Sequence, residues 1–135
     1  MEFKIRELNN NDWGMLNDWW DAWPKWQSPP KDILPENGNG GLVVEKDGTS
    51  IVAGFVYLTN SKTALLEWII SNPKYRDNDR EDAIRHLIKS SEDIVKAMGF
   101  KYMFTMLQHK GLIETHRDLG WHVDKKPSHE LIKTL

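Results

Sequence analysis

The segment Thr63-Ala-Leu-Leu-Glu67-Trp-Ile-Ile-Ser71-Asn-Pro73-Lys-Tyr75-Arg76-Asp-Asn-Asp79-Arg80-Glu-Asp82 decides the architecture of this chain. Its first half, residues 63–71, is the most apolar run in the sequence and reads as a buried, hence central, strand. From Asn72 the charge density jumps, which marks a loop leading onto a helix. That helix shows in Ile84, Leu87, Ile88, Ser91, Ile94, Val95 and Met98, which keep a 3.6-residue period, and in Gly99 at the C-cap position. Residues 100–107 then read as a strand beside the first. Strand, helix, strand implies a right-handed crossover and a parallel pair.

Toward the N-terminus, residues 50–58 and Leu42–Glu45 read as strands joined by a hairpin at Asp47-Gly48, and Asn60-Ser61-Lys62 as a second hairpin. Residues 2–8 alternate polar and apolar, with Phe3 and Ile5 on one face, as a half-buried strand does. Trp13, Leu16, Trp20 and Trp23 recur at helical spacing, so residues 12–23 read as a helix ending before Pro24, with Asn9 to Asp12 supplying an N-cap. Residues 27–41 carry three prolines and three glycines and read as a long loop with a helical turn at 31–34. Beyond residue 107, a short helix over 110–119 stopped by Gly120, and a strand pair at 121–124 and 129–134, complete one domain over residues 1–135.

Composition narrows the function. A chain of 135 residues can bury a core without staples. With 18 Lys+Arg against 20 Asp+Glu it lacks the basic excess that nucleic acid attracts. It has no cysteine, which excludes disulfides, thiolate zinc sites and a cysteine nucleophile and fits a cytoplasmic setting. No apolar run is long enough for a membrane span, and the charged start MEFKIREL is no signal peptide. The five histidines show no close ligand pairing, so no metal is expected. The oligomeric state is left open, a dimer included.

The order of elements resembles the GNAT superfamily of CoA-dependent N-acyltransferases, an α/β (α+β) fold. Its sheet is mixed and mostly antiparallel, with a central parallel strand pair and flanking helices. Two motifs carry the resemblance. Asn72-Pro73-Lys74-Tyr75-Arg76 follows the central strand where that family has Pro-x-Tyr-Arg before its pyrophosphate loop. His109 through Leu119-Gly120-Trp121 is similar to the family's Asn-x-x-Ala-x-x-x-Tyr-x-x-x-Gly-Phe ending. The loop departs from Arg/Gln-x-x-Gly-x-Gly/Ala. It reads Arg76-Asp77-Asn78-Asp79-Arg80-Glu81, with both glycines replaced by acids, and residues 76–82 carry two arginines against four acids.

A phosphate cradle needs backbone N–H groups at a helix N-terminus and close approach to the main chain. Two readings follow. Either the N–H groups still point inward, with the acids toward solvent and Arg76 and Arg80 supplying charge, or Asp79 is an N-cap with Asp82 completing a capping box.

The resemblance implies transfer of an acetyl or other acyl group from acyl-CoA to an amine. Glu67, the one acid in the strand, is the candidate base. By strand alternation it shares a face with Leu65 and Ile69, opposite Leu66, Trp68 and Ile70, and an apolar setting raises a carboxylate's pKa. His116 stands where the family has its acidic tyrosine, and a histidine can protonate a thiolate. The main chain of Ile69 and Ile70 would bond the pantetheine amides, residues 76–81 the pyrophosphate, and His109 the cofactor arm. Each has a plainer alternative: a solvent-facing Glu67, a packed His116, or Gln108 in place of His109.

Seven tryptophans, four of them at 19, 20, 23 and 26, are out of proportion for this length. If one helical face is core, Trp19 and Trp26 are left toward the loop, where they either contact the acceptor or pack under the prolines. The rival to an enzyme is a non-catalytic GNAT-fold binding module that has lost CoA binding and offers its Trp-rich cleft to a protein or small ligand.

Overall fold

The computed structural model describes residues 2–135, and the chain divides into two compact units, the first ending at Thr105 and the second spanning Met106–Leu135. The first unit is a five-stranded sheet in the order β1-β2-β3-β4-β5. The strands are β1 (Lys4–Glu7), β2 (Gly41–Lys46), β3 (Thr49–Leu58), β4 (Thr63–Ser71) and β5 (Tyr102–Phe104). The first four pair antiparallel and β4 pairs with β5 in parallel. Helix α1 (Trp13–Ala22) lies between β1 and β2 in sequence, and α2 (Arg80–Ala97) makes the crossover from β4 to β5. The expected α/β class, mixed sheet and parallel pair are all present.

The period-two pattern of the strands sends alternate side chains to two cores. On one face Leu16, Trp19 and Trp20 of α1 meet Val43, Ala53, Phe55 and Ile70. Trp20 stacks on Phe55 at 6.3 Å between ring centroids. On the other face Ala83 and Leu87 of α2 meet Leu42, Val44 and Val52. Burying a side chain such as Phe55 or Leu87 stabilises by about 1.5–3 kcal/mol. The β2–β3 hairpin turns at Asp47 and Gly48, both with positive φ (52° and 80°), the geometry a right-twisted two-residue hairpin needs.

Strand β4 is not regular. Phe55 registers with Glu67 and Ala53 with Ile70, so Gly54 alone stands opposite both Trp68 and Ile69. This is a β-bulge, and Trp68 adopts φ +58° to make it. The bulge overturns the simple alternation expected for β4. Glu67 keeps Leu65 as its same-face neighbour, since Tyr57 and Phe55 opposite them both belong to the α1 side. Ile69, however, packs on the α2 side, while Trp68 and Ile70 join the α1 side with Glu67. Leu66 lies across from them, its side chain beside Leu87 and Ile69 around Gly54. Gly54 inside a strand rich in β-branched and aromatic residues is the sequence mark of the bulge.

The second unit contains α3 (Lys110–Asp118), whose chain leaves through Gly120 at φ +96°. The strand pair expected at 121–124 and 129–134 is absent. The reason lies in the pattern: Glu130-Ile132-Thr134 and Leu131-Lys133-Leu135 would each give a mixed face, so neither side offers an apolar stripe to bury. Leu131 and Ile132 are accordingly exposed. The strand expected over 100–107 is also shorter, because pairing with β4 stops at Leu65↔Phe104.

Candidate functional site

The end of that pairing creates the first feature of the site. Past Leu65 the described residues give β4 no ladder partner on its β5 side, so Glu67 to Ser71, including the main chain of Ile69 and Ile70, run beside a gap in the sheet. The bulge sits at the start of the gap, and Glu67, just before it, lies on the α1 side in register with Phe55. Thr105, the residue just beyond β5, reaches back across the gap. Its hydroxyl lies 2.6 Å from Glu67 Oε1 and 2.5 Å from the Leu66 carbonyl. On the other side of β4, the Trp68 indole N–H donates to Tyr57 Oη (2.9 Å), and Tyr57 donates to the Ile33 carbonyl (3.0 Å). Burial raises the Tyr57 pKa, and the nearby Glu67 charge adds to the rise. This relay ties the loop over 27–40 to the bulge.

The second feature is the junction of β4 with α2. Asp79 occupies the N-cap position of α2 but makes no side-chain cap. Its carboxylate instead accepts from Lys46 Nζ on β2 and from Tyr75 Oη (2.7 Å). These partners, Lys46 first, hold the Asp79 pKa below the usual carboxylate range, while hydrogen bonding to Asp79 pushes the Tyr75 hydroxyl up to about 12. The capping box of Asp79 with Asp82 is therefore not formed. In the first turn of α2, the Arg80 N–H donates to the Asp77 carbonyl and the Ala83 N–H to Asp79. Among the described residues the N–H groups of Glu81 and Asp82 meet no protein acceptor.

Two guanidinium groups stand beside this turn. Arg76 lies 5.6 Å and Arg80 5.4 Å from the centroid of the Trp23 ring, whose own N–H is anchored on the Ser71 carbonyl at 3.0 Å. Among the described residues neither arginine has a carboxylate within ion-pair distance, and the buried Arg80 Nε meets no acceptor. Burial, and then the charge of Arg76, lower the Arg80 pKa. Two like charges with no counter-charge, above a fixed indole and beside unengaged N–H groups, form a site that gains from an anion.

The tryptophans sort differently from the sequence expectation. Trp19 is 5% exposed and belongs to the core with Trp20, so it is not the loop-facing ring expected. An i, i+3, i+4 stripe is wide enough to bury Leu16, Trp19 and Trp20 together. Trp26 is 43% exposed and lies against Trp23. Trp23, read from the sequence as core, packs partly buried against it and is also the platform for the two arginines. Nothing in its spacing distinguishes that role.

In the second unit, His109 is the N-cap of α3, its Nδ1 accepting the Leu112 N–H at 3.1 Å. His116 is 2% exposed, with Nδ1 at 2.8 Å from the Leu112 carbonyl and its ring edge-on to Trp121. A carbonyl only accepts, so the proton of that contact sits on Nδ1.

No protein-family model and no curated protein matches this sequence. Solved structures do match in shape. An aminoglycoside acetyltransferase from an uncultured soil metagenomic sample superposes with a TM-score of 0.68 at 13% identity, over 98% of this chain and 97% of the other. An aminoglycoside N-acetyltransferase, AAC(6')-Iy, solved in complex with CoA, gives 0.66 at 16% identity over 98% and 96%. The ribosomal-protein-S18-alanine N-acetyltransferase from Escherichia coli gives 0.67 at 15% identity over 88% and 77%. The chain thus has the fold of the GNAT acetyltransferases.

Proposed function

We propose that this protein is an N-acyltransferase that moves an acetyl or other acyl group from acyl-CoA to an amine. One observation supports it above the rest. The β4–α2 junction offers two unpaired guanidinium groups and unengaged backbone N–H groups, next to a gap in the sheet through which an extended chain can run. A pyrophosphate joined to a pantetheine arm has that shape and charge. In this reading Arg76, Arg80 and the main chain of Asp77, Asn78, Asp79 and Glu81 take the phosphates. Their acids do not block the cradle, since Asp79 is drawn off by Lys46 and Tyr75. The backbone of Ile69 and Ile70 takes the pantetheine amides, and His109 is our candidate for the cofactor arm.

Glu67 removes a proton from the ammonium of the acceptor. The freed amine attacks the thioester carbonyl and the C–N bond forms, the nitrogen releases its second proton to water, and the C–S bond breaks as the tetrahedral intermediate collapses. For His116 this step requires the imidazolium: with the Nδ1 proton held on the Leu112 carbonyl, a second proton on Nε2 passes to the departing thiolate and is replaced from water. Trp26 lines the acceptor side. Trp19, in the core, supports that wall without touching substrate. The neighbours named for acetylating aminoglycosides and an alanine of ribosomal protein S18 support an amine acceptor without selecting one, and a cytoplasmic setting agrees with the absence of cysteine.

The test is a thermal-shift titration with acetyl-CoA, and with CoA and ATP as controls. A ligand at a hundred times its Kd adds about 2.7 kcal/mol of stability, a shift of several degrees for a domain of this size. A rise with acetyl-CoA and CoA, absent with ATP and lost in Arg80→Ala, supports the reading. No rise at millimolar acetyl-CoA overturns it in favour of a binding module. Thiol release is then followed with an aminoglycoside, an N-terminal-alanine peptide and glutamate as acceptors.

A further inference from the structure

The carboxylate at the start of α2 does not make the bond that its position invites. An aspartate at an N-cap accepts from the backbone N–H groups two and three residues on. Counted from Asp79, those belong to Glu81 and Asp82. They are the same two donors of the first turn that meet no protein acceptor. Asp79 could therefore fill the cradle itself. A turn capped by Asp79 and a turn holding a phosphate need the same two N–H groups, so the two states exclude each other.

Both oxygens of Asp79 are engaged elsewhere. Oδ2 accepts from Lys46 Nζ, and Oδ1 accepts from Tyr75 Oη at 2.7 Å. The backbone N–H that also reaches the carboxylate is its own. The main chain agrees with this: a capping residue is extended, whereas Asp79 sits at φ −91° and ψ 8°. Lys46 is the last residue of β2, and its ammonium also lies 5.8 Å from the centroid of the Phe3 ring, which packs against the α2-side core. Arg76 and Arg80 lie over Trp23, which packs against the α1-side core. The acid and the arginines of one loop are thus held by groups from different faces of the sheet. The Lys46 and Asp79 side chains are 18% and 21% exposed, so salt screens this pair less than a fully exposed one.

We infer that Lys46, aided by Tyr75, is a positioning residue that keeps α2 uncapped, and that without this hold Asp79 caps the helix and closes the phosphate site from within. This rests on the reading of the β4–α2 junction as the place where the phosphates of acyl-CoA sit. A glycine at position 79 would leave the donors open by having no side chain. Here a carboxylate is present, and two residues from outside the first turn hold it off the same donors. The role of Lys46 is therefore conditional: it matters to anion affinity because Asp79 is there.

The experiment has two readouts: hydrogen exchange at the Glu81 and Asp82 amides of the free protein, by NMR, and affinity for inorganic pyrophosphate, by calorimetry. In Lys46→Met/Tyr75→Phe, exchange at both amides is expected to slow and pyrophosphate affinity to fall, each about fivefold, the effect of one side-chain cap of typical strength. Adding Asp79→Ala is expected to return both to wild-type values, and Lys46→Arg alone to keep them there. Amides that exchange as fast in the double variant as in the wild type overturn the inference. So does weakened binding that Asp79→Ala fails to relieve, since the Lys46 charge itself would then be the contact. Pyrophosphate binding that is equal in all forms, or absent from all, overturns it too. Should the double variant not fold, Lys46→Met alone is read the same way. The exchange measurement uses no ligand, which separates this outcome from that of the acetyl-CoA titration. If acetyl-CoA gives no thermal shift while exchange and pyrophosphate behave as expected, the acyltransferase reading falls and the role of Lys46 stands. A thermal shift with unchanged exchange means the reverse.

Discussion

Asp12 accepts both terminal nitrogens of Arg6, at 2.8 and 2.9 Å, and the Asn9 N–H at 2.9 Å, while Arg6 also reaches Glu45 on β2. One carboxylate thus ties β1 to the start of α1. The Arg6 hydrogen bond holds the Asp12 pKa below its usual value. A depressed folded-state pKa contributes stability above the unfolded value, about 3.9, and loses it as pH falls through the folded one. Stability is expected to drop in that acid window, and the drop to shrink in Asp12→Asn. Asp12→Ala should cost about 2 kcal/mol by urea unfolding, the scale of a charged hydrogen bond. At the other end of the residue scale stands Glu67→Gln, which should cut turnover while leaving the acetyl-CoA thermal shift in place. Single-residue roles were legible where chemistry is local. Asn9 to Asp12 reads as capping chemistry, and Asn9 and Asp12 form a capping box there. The burial of Trp19 and the contact of Trp23 with the arginines were not legible, because an indole at helical spacing looks the same whether it meets a core or a guanidinium.

Among the elements, α2 and its loop show how a sequence departure can leave a geometry intact. Replacing glycine with Asp79 brings a carboxylate to the helix start, and Lys46 and Tyr75 draw it aside. Asp79→Ala should release Tyr75, whose hydroxyl the hydrogen bond to Asp79 pushes up to about 12, toward the ordinary tyrosine value of about 10. Ultraviolet titration of the phenolate reads that shift directly. The element order was legible because periods of two and 3.6 survive any local detail. The bulge was hidden because one extra residue changes no composition, and the only trace it leaves is Gly54 on the neighbouring strand. The relay from Trp68 through Tyr57 to Ile33 was hidden too, since it joins residues far apart in the chain.

For the whole molecule, pattern and outcome part company at the C-terminus. Residues 129–135 hold three large apolar side chains, yet Leu131, Ile132 and Leu135 are 91%, 72% and 109% exposed. Such residues bury no surface that deletion could cost. A chain ending at Ser128 is expected to melt within about 1 °C of the full-length protein, a change of a few tenths of a kcal/mol. A larger loss would show that the segment packs in solution. Length and composition had set the class of molecule, since a balanced charge and an ordinary apolar fraction leave few other options.

The clustering of tryptophans also has an optical consequence. Trp19 and Trp20 are sealed in the core, Trp26 faces water, and Trp23 lies within 5.6 Å of two guanidinium groups. Indole emission follows its surroundings, so an anion drawn to Arg76 and Arg80 would alter the light from Trp23 and leave that from the core pair as an internal standard. The protein carries its own fluorescent gauge of occupancy, and a Trp23→Phe variant, silent to the same ligand, would calibrate it.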